Sequence, residues 1–282
     1  MLPDQIILIR GERIEHVGPW LSRPKIPRDA RVLDVRGKFI IPGLIDAHVH
    51  LVHQLDDAHL TGDEVLPMFL AAGVTAIRDI GDTVVPQKII ARYAEAHPEA
   101  CPRVFLCSSL IDGAPPIHRD IGWSLTDPEQ VPAFVEDMAN WGVTTLKIYA
   151  GTGREVGRRI IEEGHKRGLV VTAHLGPYRA QDAVADGIDC LEHIWSVFNY
   201  IIPETVGGTP NYRASLDLTN PLAQDLVAKS RAEPGDGRSQ VGRVQEHDPV
   251  ARPRIGEPAS GQRSCPDSTA PTLGELLAAL PS

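Results

Sequence analysis

The chain is poor in aromatic residues, and the poverty is uneven. Its 14 aromatic side chains all lie between Trp20 and Tyr212, so the last 70 of 282 residues have none. Cysteine is scarce too. Cys101, Cys107, Cys190 and Cys265 form no C-x-x-C pair and are too few to staple a chain this long, so they read as reduced thiols. No apolar run approaches the ~18 residues of a membrane span. The N-terminus lacks the basic, apolar and small-residue segments of a secretory signal, which leaves the cytoplasm as the expected compartment. With 28 basic against 37 acidic residues the formal charge is −9, and no basic stripe stands out. That excludes the footprint of a nucleic-acid or anionic-membrane ligand. A small-molecule partner fits better, and homo-oligomerisation stays open.

What is present changes character along the chain. The first 45 residues carry short β-like runs at Gln5–Arg10, Arg13–Val17, Arg31–Val35 and Lys38–Ile41, punctuated by Gly11, Gly18-Pro19 and Gly37. From Gly43, short apolar strands alternate with amphipathic stretches. Strands are expected at Leu44–His48, Val74–Asp79, Arg103–Cys107, Val143–Ile148, Leu169–His174 and Asp189–His193. Helices are expected at Asp63–Ala71, Val84–Glu95, Pro128–Ala139, Arg154–Lys166 and Ala180–Ala185. Asp127-Pro128 supplies an N-cap followed by proline at the first helical position. Six strands separated by helices predict a parallel sheet in an α/β chain, with a (β/α)8 TIM-type barrel as the leading architecture. The expected domains are a β-subdomain over 1–42, a barrel over 43–229 and a low-complexity, disordered tail over 230–282.

The tail is defined by omission. Ser230–Thr272 spans 43 residues without leucine, lysine or an aromatic, but holds 11 glycines plus prolines and 6 arginines. Such a segment buries too little apolar surface to offset its ordering entropy. Leu273–Leu280 could form a short helix.

The sharpest chemical signal is His48-Val49-His50 at the end of the first barrel strand. Side chains alternate along a strand, so both imidazoles point the same way and can grip one cation. Barrel enzymes present their reactive groups at strand C-termini. Lys147, His174 and His193 end three further expected strands, so four strands deliver ligand-type residues to one rim. Each residue alone reads more simply as a core or solvated side chain; the coincidence is what counts. His53 and His59 lie off this register and read as solvated loop histidines. His118 or Arg119, in the loop Asp112–Asp120, could bind a substrate carboxylate or be plain loop residues. Tyr149 either faces the pocket or packs beneath the rim.

The chain resembles the amidohydrolase superfamily, in its imidazolonepropionase and prolidase-like branch. The resemblance runs from about Gln5 to Asp217. It rests on the lead-in Asp34–Asp46 (DVRGKFIIPGLID) joined to H-x-H, supported by Gly73–Gly81 (GVTAIRDIG) and Leu146–Tyr149 (LKIY). It implies two divalent metal ions, with zinc favoured by imidazole-rich ligands. His48 and His50 would hold one ion, and His174 and His193 the other. Lys147, carbamylated by CO2, would become the anionic bridge, which accounts for a lysine in a cation site. A water activated by metal would attack an amide, cyclic amide or Xaa-Pro bond.

One element of the family pattern is missing. The resemblance implies two more barrel strands, the last with an aspartate that serves as metal ligand and general base. Only 89 residues follow His193, and they show neither strand. Asp267 and His247-Asp248 have no apolar strand before them, so no catalytic aspartate is identified. The expectation is an incomplete barrel of about six strands, with a frameshifted or truncated C-terminal part. Two functional readings stay open: a metal-dependent hydrolase of C–N bonds, or a catalytically dead, truncated remnant that binds metal.

Overall fold

The structure is a computed structural model that describes residues 3–193, 196 and 219–231. It divides into two compact units, Met1–Pro42 and Gly43–Ser282. In the first, β1 (Gln5–Arg10) and β2 (Arg13–Pro19) form an antiparallel hairpin closed at Arg10↔Arg13. Gly11 takes a left-handed φ of 57° in the two-residue turn, a conformation that costs glycine little. The expected strands Arg31–Val35 and Lys38–Ile41 do not form. Those segments are irregular and exposed, and no strand pairs with them among the described residues. A β-rich sequence without a ladder partner leaves its backbone to water, so composition alone does not make a strand.

In the second unit, parallel strands alternate with helices. A three-stranded sheet joins β3 (Leu44–Val49), β4 (Val74–Asp79) and β5 (Arg103–Phe105). The chain passes through Leu106 from β5 directly into β6 (Cys107–Asp112), which belongs to a five-stranded sheet. That sheet adds β7 (Gly122–Ser124), β8 (Thr145–Ile148), β9 (Val170–Ala173) and β10 (Cys190–Leu191), in the order β10-β9-β8-β6-β7. Six expected strands are therefore present, one of them bent between sheets. This is a partial TIM-type barrel. The short β7 was not anticipated.

The helices are α1 (His53–Ala58), α2 (Gly62–Ala71), α3 (Val84–Ala96), α4 (Val131–Asn140), α5 (Arg154–Lys166), α6 (Ala180–Ala185) and α7 (Pro221–Arg231). Thr61 and Glu64 close a capping box at the start of α2, and the Asp127 side chain accepts from the Glu129 amide before α4. β8 is buried on both faces, as a central parallel strand must be. Leu146 and Ile148 of β8 pack with Val171 of β9, Phe134 and Val135 of α4, and Ile160 and Ile161 of α5. A second cluster joins Ile77 of β4 to Leu66 of α2 and Ile90 of α3. These two cores fix the strands whose ends carry the polar residues. No described helix is long and apolar enough to cross a membrane. Residues 232–282, including Leu273–Leu280, Asp267 and His247-Asp248, lie outside the described residues.

Candidate metal centre

The C-terminal ends of the strands converge on a cavity of about 160 Å³. His48 reaches it from β3, His50 from the residue after that strand and Lys147 from β8; His193 comes from just beyond β10. The ring centroids of His48 and His50 are 5.3 Å apart, and those of His48 and His193 4.6 Å. His174, one residue past β9, stands 4.8 Å from His193 and 4.9 Å from Tyr149, centroid to centroid. His193 adopts φ 58°, a conformation unfavourable for a residue with a Cβ and one that tends to persist at functional sites. The structure thus gathers His48, His50, Lys147, His174 and His193, although they are separated by up to 145 residues of sequence.

Electrostatics favour neutral nitrogen donors. Burial, with His48 and Lys147 adding positive charge, pushes His50 down to about 4. Burial and the neighbouring His193 lower His174 to about 4 as well. His193 is lowered by burial and by His48, against the opposing pull of Glu192. Lys147 is 1% exposed, and burial brings its amine down to about 8 despite the attraction of Glu192. Among the described residues its Nζ has no hydrogen-bond partner, and neither does His50 Nδ1. Buried polar atoms left without partners cost roughly 1–3 kcal/mol each. Convergent imidazoles with lowered pKa values offer lone pairs to a cation, and Lys147 joins them once its positive charge is removed, so these residues fit a divalent metal centre.

Other ionisable groups stand at the site that no motif in the sequence marks. Asp79 at the end of β4 and Asp82 beyond it are both fully buried, and with His50 they place ligand-type atoms within 4.8 Å of one another. Burial, then the like charge of Asp82, raises Asp79 well above the usual carboxylate range. Burial raises Asp82 too, although its Oδ2 accepts from the Val52 amide at 2.8 Å. Glu192 is 7% exposed and bonds to His48, Arg78 and Thr172. Burial alone would raise its pKa; the His48 bond, Lys147, Thr172 and Arg78 overcome that and hold it at about 2. His53, expected as a solvated loop histidine, instead opens α1 and lines the cavity, because the turn at Leu51-Val52 after β3 brings it back to the rim.

His118 and Tyr149 also line the cavity, with His118 Nε2 3.0 Å from the Tyr149 hydroxyl. Arg119 is exposed and does not line it. The loop carrying His118 is tied down by Asp112, which is 1% exposed. Asp112 Oδ1 accepts from the amides of Gly113 at 2.9 Å and Gly151 at 2.6 Å, and its Oδ2 from Ile117 at 2.7 Å.

Known proteins are similar to parts of this chain in sequence and shape. An imidazolonepropionase from Caulobacter vibrioides is 29% identical over 158 residues, 53% of this chain and 38% of that protein. Another, from Rhizobium meliloti, is 41% identical over 54 residues, 19% of this chain and 13% of the relative. A prolidase candidate from Bifidobacterium longum superposes with a TM-score of 0.53 at 30% identity, covering 64% of this chain and 46% of that one. The chain spans less than half the length of each of these proteins. Residues 39–201, more than half of the chain, match the Amidohydrolase family. The chain belongs to the amidohydrolase family.

Proposed function

We propose that this chain carries the metal centre of a hydrolase that cleaves a C–N bond in a small amide, cyclic amide or Xaa-Pro dipeptide. One observation carries the reading: four imidazoles and the buried Lys147 amine meet at one rim. His48 and His50 would hold one divalent ion, and His174 and His193 a second, with zinc favoured by the nitrogen donors. Such ions supply a water acidic enough to ionise near neutral pH and a Lewis acid for the scissile carbonyl.

The chain's own residues do the remainder. With its pKa at about 8, a usable fraction of Lys147 is neutral amine at neutral pH. That amine would add to CO2, forming an N–C bond as one C–O π bond opens and one proton leaves, and the carbamate so formed would supply an anionic ligand. His118 Nε2 and the Tyr149 hydroxyl are bonded to each other at the cavity; with the imidazole N–H donating to the phenol oxygen, the Tyr149 O–H is left to bind the substrate carboxylate or the oxygen that gains charge during attack. Burial and Asp112 hold the Tyr149 phenol above its ordinary pKa, so it donates rather than ionises.

The test is metal content of the purified protein together with hydrolysis of a dipeptide and cyclic-amide panel. About two ions per chain with turnover supports the reading. Bound metal without turnover leaves the remnant reading, and no metal removes both.

A further inference from the structure

This inference rests on the metal reading above and concerns what holds His48. Glu192 Oε2 lies 2.7 Å from His48 Nδ1. Its other oxygen, Oε1, accepts from Arg78 Nη2 at 2.7 Å and from Thr172 Oγ1 at 2.6 Å. Arg78 in turn donates Nε to the carbonyl of Ala47, the residue before His48, at 2.8 Å. One carboxylate from beyond β10 therefore gathers β3 and β4 of one sheet and β9 of the other. His50 is treated differently. Its Nδ1 stands 3.8 Å from Asp82 Oδ1, and neither atom has a hydrogen-bond partner among the described residues.

We propose that Glu192 is a positioning residue that fixes the tautomer of His48, keeping its proton on Nδ1 and its Nε2 lone pair bare for a divalent cation. A neutral imidazole has one donor and one acceptor nitrogen, and an ionised carboxylate can only accept. The nitrogen facing Glu192 must therefore carry the hydrogen. Arg78 fixes which way round a substitute would sit. In Glu192→Gln, the amide carbonyl turns to the Arg78 cation and the Thr172 hydroxyl. The NH2 then faces His48 Nδ1, and the His48 proton moves to Nε2. The substitution inverts the tautomer rather than merely deleting a contact. Carboxylate partners of this kind orient metal-binding histidines and raise their basicity, and losing one typically costs 10–100-fold in metal affinity.

The experiment combines nitrogen NMR of the histidine rings in metal-free protein with chelator competition for Zn2+. The His48 signal is assigned by its loss in His48→Gln. Wild-type protein is expected to show His48 protonated at Nδ1. Glu192→Gln is expected to show it protonated at Nε2 and to bind the ion about 10–100-fold more weakly. Glu192→Asp, which keeps the acceptor, should recover part of that affinity. The wild-type spectrum needs no variant, so a Glu192→Gln protein that fails to fold leaves the proposal testable. A bare Nδ1 in wild-type protein, or a folded Glu192→Gln with unchanged tautomer and affinity, overturns it. Equal zinc affinity in both proteins overturns the role of Glu192 alone. Failure of wild-type protein to take up zinc overturns the metal reading beneath it.

Discussion

Asp112 shows how one buried carboxylate shapes the cavity mouth. It accepts three backbone amides from two loops, and the Thr152 hydroxyl donates to the carbonyl of Ile111 beside it. Asp112→Ala leaves those amides without their acceptor, so a loss of about 3 kcal/mol is expected from urea unfolding. A change below about 1 kcal/mol would show that water replaces the carboxylate at little cost. Tyr149→Phe makes a separate prediction. It removes the hydroxyl 3.0 Å from His118 Nε2 and is expected to lower kcat/KM about 10–100-fold while metal content stays the same. Metal lost along with activity would contradict that division of labour. His48, His50, Lys147, His174 and His193 stand out in the sequence because each lies at or near the end of an apolar run, and for the H-x-H pair the period of two also sets the direction. Glu192, Arg78 and Asp82 do not. Arg78 and Glu192 are 114 residues apart, and a contact between distant strands leaves no local pattern. Asp79 ends an expected strand, so the same rim rule extends to it, but no spacing in the sequence singles it out.

At the scale of elements, amphipathic helices with strong ends were the easiest to read. Arg154–Lys166 and Ala180–Ala185 form as expected, between an extended entry and a glycine turn. Arg31–Ile41 was misread because strand composition says nothing about a partner, and β7 was too short to show any alternation. The C-terminus of α5 also carries a pH-dependent tie. His165 Nε2 is 2.9 Å from Asp189 Oδ2, and that bond raises the His165 pKa against the effect of burial. A raised folded-state pKa gives stability that is fully present below the unfolded value of about 6.5 and fades as pH rises through the folded value. The side chain is 41% exposed, so the contribution is small, under about 1 kcal/mol. Wild-type protein should exceed His165→Gln in urea midpoint at pH 5.5, with the gap closing by pH 8.5. A gap that does not change with pH would contradict the ion pair. Gly81 marks the link from β4 to Asp82. Its φ is 118°, and a Cβ there would run into the Leu110 side chain. Gly81→Ala is therefore expected to lower the melting temperature by several degrees, and an unchanged melt would contradict the strain.

At the scale of the whole molecule, hydrophobic packing and site chemistry are divided between the outside and the inside of the partial barrel. Helices α4 and α5 cover the five-stranded sheet from outside, while Lys147, Thr172 and Glu192 stay buried among strand ends. Folding therefore gathers charged and imidazole groups at a rim where several of their atoms lack hydrogen-bond partners among the described residues. A cation is the economical way to satisfy them together. The direct test is metal analysis of wild-type protein beside His48→Ala/His50→Ala, with melting followed before and after chelation. The account predicts about two divalent ions per wild-type chain, a clear loss in the double variant, and a lower melting temperature once metal is stripped. Background metal in both proteins, with a melt indifferent to chelation, would contradict it.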